Sequence, residues 1–175
     1  MDEKKPEIDE RKLRDMFRQA VERGAIESVI HFDAHGTRKD AVENAMIDMI
    51  SRMNKELGVL YCKGEIDEAM ENNDLYSCAA EVHLLTTNYN ALVNIAIKYA
   101  PIAVEIRAPG EVKLTAEEAQ INILDIAQAS QDFAKVFFEK IMNTEDFAKF
   151  NQQMENRAKL GEILRNKAAA EKKKD

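Results

Sequence analysis

The strongest constraint on this chain is the order in which its hydropathy changes period between Gly24 and Pro109. Ala25 to Asp33 alternates as a strand, with Ile26, Ile30 and Phe32 on one side and Val29, His31 and Asp33 on the other. Val42, Ala45, Met46, Met49, Ile50 and Met53 then recur at helical spacing, up to Gly58. Residues 59–68 and 75–87 alternate again, and "ENND" (71–74) supplies turn chemistry between them. Asn88 can cap a helix carrying Leu92, Ile95 and Ala96, which Pro101 ends. "IAVEIR" (102–107) is a last alternating strand, and Pro109-Gly110 turns the chain.

Strand, helix, strand, strand, helix, strand is the split βαβ order, so the sequence predicts an α+β fold with a ferredoxin-like βαββαβ sandwich over 24–114. Its first and third strands are expected side by side at the centre and parallel, with helices on one face. Residues 1–23 form an N-terminal tail and helix, in which Leu13, Met16, Phe17, Ala20 and Val21 recur before the stop signal Gly24. Residues 115–168 form two C-terminal helices. "TAEE" (115–118) opens the first with a capping box, "NTED" (143–146) opens the second, and 169–175 is a frayed basic tail.

Composition excludes several functions. A formal net charge of −7 disfavours nonspecific attraction to nucleic acid or anionic lipid. A sheet that reads RNA needs stacking aromatics in a basic surround. The polar face here offers Tyr61 among Glu65, Asp67, Glu81 and Glu105. No apolar run approaches a membrane span, and the charged start MDEKKPEIDE is unlike a signal peptide. The two cysteines, Cys62 and Cys78, make no disulfide framework, so a cytoplasmic protein with reduced thiols is expected.

Alternation assigns Ile30, Phe32, Leu60, Cys62, Ile66, Cys78, Ala80, Val82, Leu84, Ile102, Val104 and Ile106 to the core face. The opposite face carries Val29, His31, Asp33, Tyr61, Lys63, Glu65, Glu81, His83, Leu85, Glu105 and Arg107. On parallel central strands, His31 and His83 would both lie near strand C-terminal ends. With Glu81 they could bind a zinc-like ion or act as acid and base. The plainer reading is a charged sheet face with a helix lying over it, so no metal or other cofactor is assigned.

"HFDAHGTRKD" (31–40) gives the main ligand candidate. Asp33, His35, Gly36 and Thr37 are expected to form a strand-to-helix turn, with Thr37 as cap. There, free helix N–H groups favour an anion and Gly36 permits close approach. In this loop and in strand order the segment resembles the ligand loop of ACT-type regulatory domains, without that group's acidic–proline–glycine signature. The resemblance implies a small metabolite held at a dimer interface.

The helix over 116–142 has apolar residues on all sides, Phe133, Phe137, Phe138 and Ile141 among them. A helix apolar over so much of its circumference must be covered from more than one direction. The expected function is therefore a non-enzymatic, self-associating domain, a homodimer, that binds a small molecule or partner protein. The alternative is a metal-dependent or acid–base enzyme using His31, Glu81 and His83.

Overall fold

The computed structural model describes residues 10–72 and 74–171. Residues 1–9, within the expected N-terminal tail and helix, and the last four residues of the expected basic tail lie outside them. The described residues form five helices and one five-stranded antiparallel sheet, an α+β fold. In chain order these are α1 (Glu10–Glu22), β1 (Ile26–Gly36), α2 (Lys39–Met53), β2 (Val59–Ile66), β3 (Met70–Asn72) and β4 (Leu75–Thr86). They continue with α3 (Tyr89–Tyr99), β5 (Ala103–Ala108), α4 (Ala116–Ile141) and α5 (Thr144–Glu171). The chain divides into two compact units, Met1–Asp125 and Ile126–Asp175.

In the first unit the strand order is β2-β4-β1-β5, with β3 paired to the start of β4. β1 and β4 are central neighbours, but they run antiparallel, not parallel. The connectivity requires it. β1 and β2 both run antiparallel to β4, so the crossover through α2 leaves them parallel to each other. The turn after β3 then reverses the chain, and β4 slots between them against both. That turn falls within the expected 71–74, where Asn72 pairs with Leu75 and Asp74 adopts a positive φ of 63°. The arm leading into it is broken at 67–69, where Ala69 dips into the core and its N–H donates to Glu43 of α2.

The core lies between the sheet and α2 and α3. Ile26, Ile30, Phe32, Cys78, Ala80, Val82 and Leu84 meet Val42, Met46 and Met53 of α2 and Leu92 and Ile95 of α3. Cys62 and Ile66 pack at its margin as expected. Four expected core residues are exposed. A bulge between Val59 and Tyr61 puts Val59 on the core and swings Leu60 out. Val104 pairs with Ile30 and Ile106 with Ser28, so both point to the core side, but β5 is an edge strand and α3 packs over β4. Ile102 precedes β5, its N–H donating to the carbonyl of His31.

The opposite sheet face is not left bare. The ring of Phe17 on α1 meets that of Tyr61 edge to face, with centroids 5.1 Å apart. Val29 and Leu85, placed on the solvent side by alternation, are buried. Helices therefore cover both faces, not one.

The end signals act as the sequence implies. Asn88 Oδ1 accepts from the Ala91 N–H at 2.9 Å and caps α3. Ala100, in the left-handed region, ends α3 before Pro101. The Thr115–Glu118 capping box is closed in both directions. Asn143 Oδ1 accepts from the Asp146 N–H at 2.9 Å to open α5. The chain leaves β5 through a cis Ala108–Pro109 peptide.

Candidate functional site

The stretch 33–37 is not a strand-to-helix turn. β1 runs on through Asp33, Ala34, His35 and Gly36, which pair with Ala79, Cys78, Ser77 and Tyr76 of β4. Thr37 is a bend, and Arg38 takes the N-cap position of α2 without a side-chain capping bond, its guanidinium paired instead with Asp40. The long partner strand explains the difference, because β4 offers backbone groups as far as Tyr76 and the ladder outcompetes a cap. Gly36 has a packing reason. A Cβ there would stand 2.7 Å from Cγ2 of Val42, so the glycine lets α2 lie against the strand. The ACT-like ligand loop is therefore absent.

Pairing brings other groups together. His35 Nδ1 is 2.8 Å from Ser77 Oγ and its Nε2 is 2.9 Å from Asp33 Oδ2. Hydroxyl, imidazole and carboxylate in that order are the parts of a nucleophile relay. Here His35 and Asp33 are exposed on an open strand surface. A relay of this kind works in a site that excludes water. Sequence reading had Asp33 and His35 but missed Ser77, which only the β1–β4 register reveals.

His31, Glu81, His83 and Glu105 do share one face. His31 stands opposite Glu81 in the ladder, and Val29 opposite His83. His83 Nε2 lies 3.2 Å from Glu81 Oε1, whereas His31 Nε2 faces Glu105 Oε1 at 3.9 Å. The histidines are diagonal neighbours on antiparallel strands, each beside its own carboxylate, rather than two ligands at one strand end. Among the described residues, no group of three His, Cys, Asp or Glu side chains is arranged to hold a metal ion.

Three clefts open in this unit: one of about 590 Å³ lies where the segments 21–26, 87–89 and 109–114 meet, and two more flank the sheet and its helices. One, about 350 Å³, lies between α1 and the sheet. Leu13, Phe17 and Tyr61 give it an apolar floor, and Arg14, Glu27, Lys63, Glu65 and His83 a charged rim. The other, about 560 Å³, lies at the C-terminal ends of α2 and α3. There Glu56 accepts from Lys98 Nζ at 2.5 Å and from the Tyr99 hydroxyl at 2.6 Å. Those two hydrogen bonds hold the Glu56 carboxyl below the usual carboxylate range. Burial, with the same carboxylate beside it, pushes the Tyr99 phenol up to about 12. Arg52 and Lys98 stand in last helical turns, where cations complement the helix dipole.

The long helix α4 is turned inside out. Its one buried residue is Asn122, 6% exposed, which donates to the Glu118 carbonyl and accepts from Asn90 of α3. Asp125 accepts from the same Asn90 amide at 3.0 Å. The large apolar side chains are open instead: Ile123 is 66% exposed, Phe133 68%, Phe137 61% and Ile141 60%. In the second unit, aromatic contacts cluster where the two helices join, with Phe138 against Phe137 and Phe150, and Phe150 against Phe147.

Fold and site together define an α+β domain with helices over both sheet faces, partly exposed charged groups on the α1 side of the sheet, and a long helix bearing an exposed apolar stripe. Residues 27–158, well over half of the chain, match the MJ0538 family, and the chain belongs to that family. No curated protein and no solved structure matches it. Among the described residues, no helix is long and apolar enough to cross a membrane.

Proposed function

We propose that this chain is a non-enzymatic, self-associating domain that binds a small ligand or a partner protein, acting in the cytoplasm as a homodimer. The observation that carries the reading is α4, whose one buried residue, Asn122, is polar while Ile123, Phe133, Phe137 and Ile141 are open. Long helices owe most of their stability to packing of an apolar face. A contiguous apolar patch on a monomer is uncommon and marks an interaction surface. The strand order β2-β4-β1-β5, with α2 and α3 on one face, supports a ferredoxin-like core as the scaffold. For the ligand, Asp33 and His35, hydrogen-bonded to each other with Ser77 alongside, remain the candidates beside Gly36 and Thr37. The cleft beneath α1 adds an apolar floor with charges of both signs around it, the usual make-up of a small-molecule site.

Sedimentation equilibrium tests the reading. Sealing one Phe side chain from each of two copies is worth about 3–6 kcal/mol per dimer, or about two to four orders of magnitude in Kd. The unchanged chain is expected to be dimeric at micromolar concentration, and Phe137→Glu to be monomeric with its sheet unit intact. A monomeric unchanged chain refutes self-association.

A further inference from the structure

Resting on that self-association, we infer that the partner on α4 is a second α4 from another copy of this chain, laid antiparallel and centred between Ser130 and Phe133.

The seam can be read along the helix. At 100° per residue, Ile123, Ile126, Ser130, Phe133, Phe137 and Ile141 fall within about 80° of arc. Their spacing runs three, four, three and four residues from Ile123 to Phe137, then four to Ile141, close to that of a helix that packs along its length against another helix. The side that meets α3, with Asn122 and Asp125, is about a quarter-turn away.

Direction follows from size. In a parallel pair in register, each residue meets its own copy. Phe133 then meets Phe133 and Phe137 meets Phe137, while Ser130 meets Ser130 and leaves a gap between two bulky layers. Interiors pack to a density that tolerates neither. Reversing one helix about the centre puts Ser130 against Phe133, Ile126 against Phe137, and Ile123 against the Lys140–Ile141 turn. Each phenyl ring then has a smaller residue opposite.

Charge points the same way. The half from Ala116 to Gln128 carries Glu117, Glu118 and Asp125 and no cation, three negative charges. The half from Ala129 to Ile141 carries Asp132 and Glu139 against Lys135 and Lys140, a net charge of zero. Parallel pairing sets the acidic halves on each other, whereas antiparallel pairing sets each on a neutral half. It also opposes the two helix dipoles.

Spin-label distances on the full chain decide it. A Gln120→Cys variant provides an exposed thiol. Cys62 and Cys78 are half-buried and buried, and burial pushes both thiols up, so brief labelling near neutral pH favours the new site. The unmutated chain taken through the same labelling gives the background. Antiparallel pairing separates the two labels by about 35 Å along the axis, from 23 residues at 1.5 Å each. Parallel pairing brings them to about the interaxial distance of 8–10 Å plus the label arms. A second label at Asp132→Cys, next to the proposed centre, is expected to be close in both arrangements and so reports pairing without regard to direction. A long distance at 120 with a short one at 132 supports the inference. Short distances at both overturn the direction while leaving self-association standing. Long distances at both, in a chain that sedimentation shows to be dimeric, place the interface elsewhere than α4. No coupling from either label, with a monomer by sedimentation, overturns both.

Discussion

If Gly36 is glycine because α2 needs the space, a methyl group there should be harmful for a reason that a second mutation can remove. The Cβ of Gly36→Ala would lie 2.7 Å from Cγ2 of Val42, closer than real Cβ contacts, and Val42 is buried with little room to retreat. Overpacking of this kind costs about 1–3 kcal/mol. The glycine is not among those at positive φ, so alanine meets no backbone strain. Its smaller unfolded-state entropy returns about 0.4–1 kcal/mol. The net expectation is a loss of about 1–2 kcal/mol. Val42→Ala alone removes two methyl groups from the core and should cost about 2 kcal/mol. In the double variant the clash has gone and the new methyl fills part of the space. Its stability should equal or exceed that of Val42→Ala, a coupling of about 2 kcal/mol. Urea unfolding followed by tyrosine emission isolates the relevant unit, since the chain has no Trp and its four Tyr, at 61, 76, 89 and 99, all precede α4. Were Gly36→Ala as stable as the unchanged chain, or the two losses simply additive, the packing reason for this glycine would be wrong and close approach of a ligand would return as its explanation.

Two further outcomes are expected. Glu56 has a lowered carboxyl pKa, so its stabilising effect is fully present above the ordinary carboxylate value, about 4.3, and is lost as pH falls through the folded value below it. Urea midpoints measured from pH 6 down to pH 3 should therefore drop less steeply in Glu56→Gln, and equal slopes would show that the Lys98 and Tyr99 contacts contribute nothing. The thermal midpoint should be the same with and without chelator, and a fall of several degrees that His83→Ala abolishes would instead favour the metal or acid–base reading of His31, Glu81 and His83.

The elements were legible because their signals are local. Asn88, the Thr115–Glu118 box, Asn143 and Pro101 each act within a turn of where they stand. What could not be read was set by partners distant in sequence. The length of β1 depends on how far β4 extends beside it, so a stretch with good turn residues at 33–37 became strand. Alternation correctly separated the two sides of the sheet, but burial depended on which helix lay over which strand. α1 covered Val29 and Leu85, while Val104 and Ile106 were left open at an edge. Of the candidate site, the His31, Glu81, His83 and Glu105 face was visible as a face. The pairing of each histidine with a separate carboxylate was not, because it needed the relative direction of β1 and β4. Ser77 was hidden for the same reason.

The open edge at β5 bears on what kind of assembly this chain can build. β5 is six residues long, and Pro101 and Pro109 bracket it closely, neither with an N–H to offer a neighbouring strand. Glu105 and Arg107 place charges along it. A short, charged edge bounded by prolines is a poor template for another sheet. Head-to-tail joining of β5 to the β2 edge of another copy would propagate without limit, since each added copy would present a free β5 again. A single helical seam that matches itself is satisfied after one partner. Growth by sheet extension is discouraged at the β5 edge, so the proposed pairing through α4 would close on itself rather than build fibres.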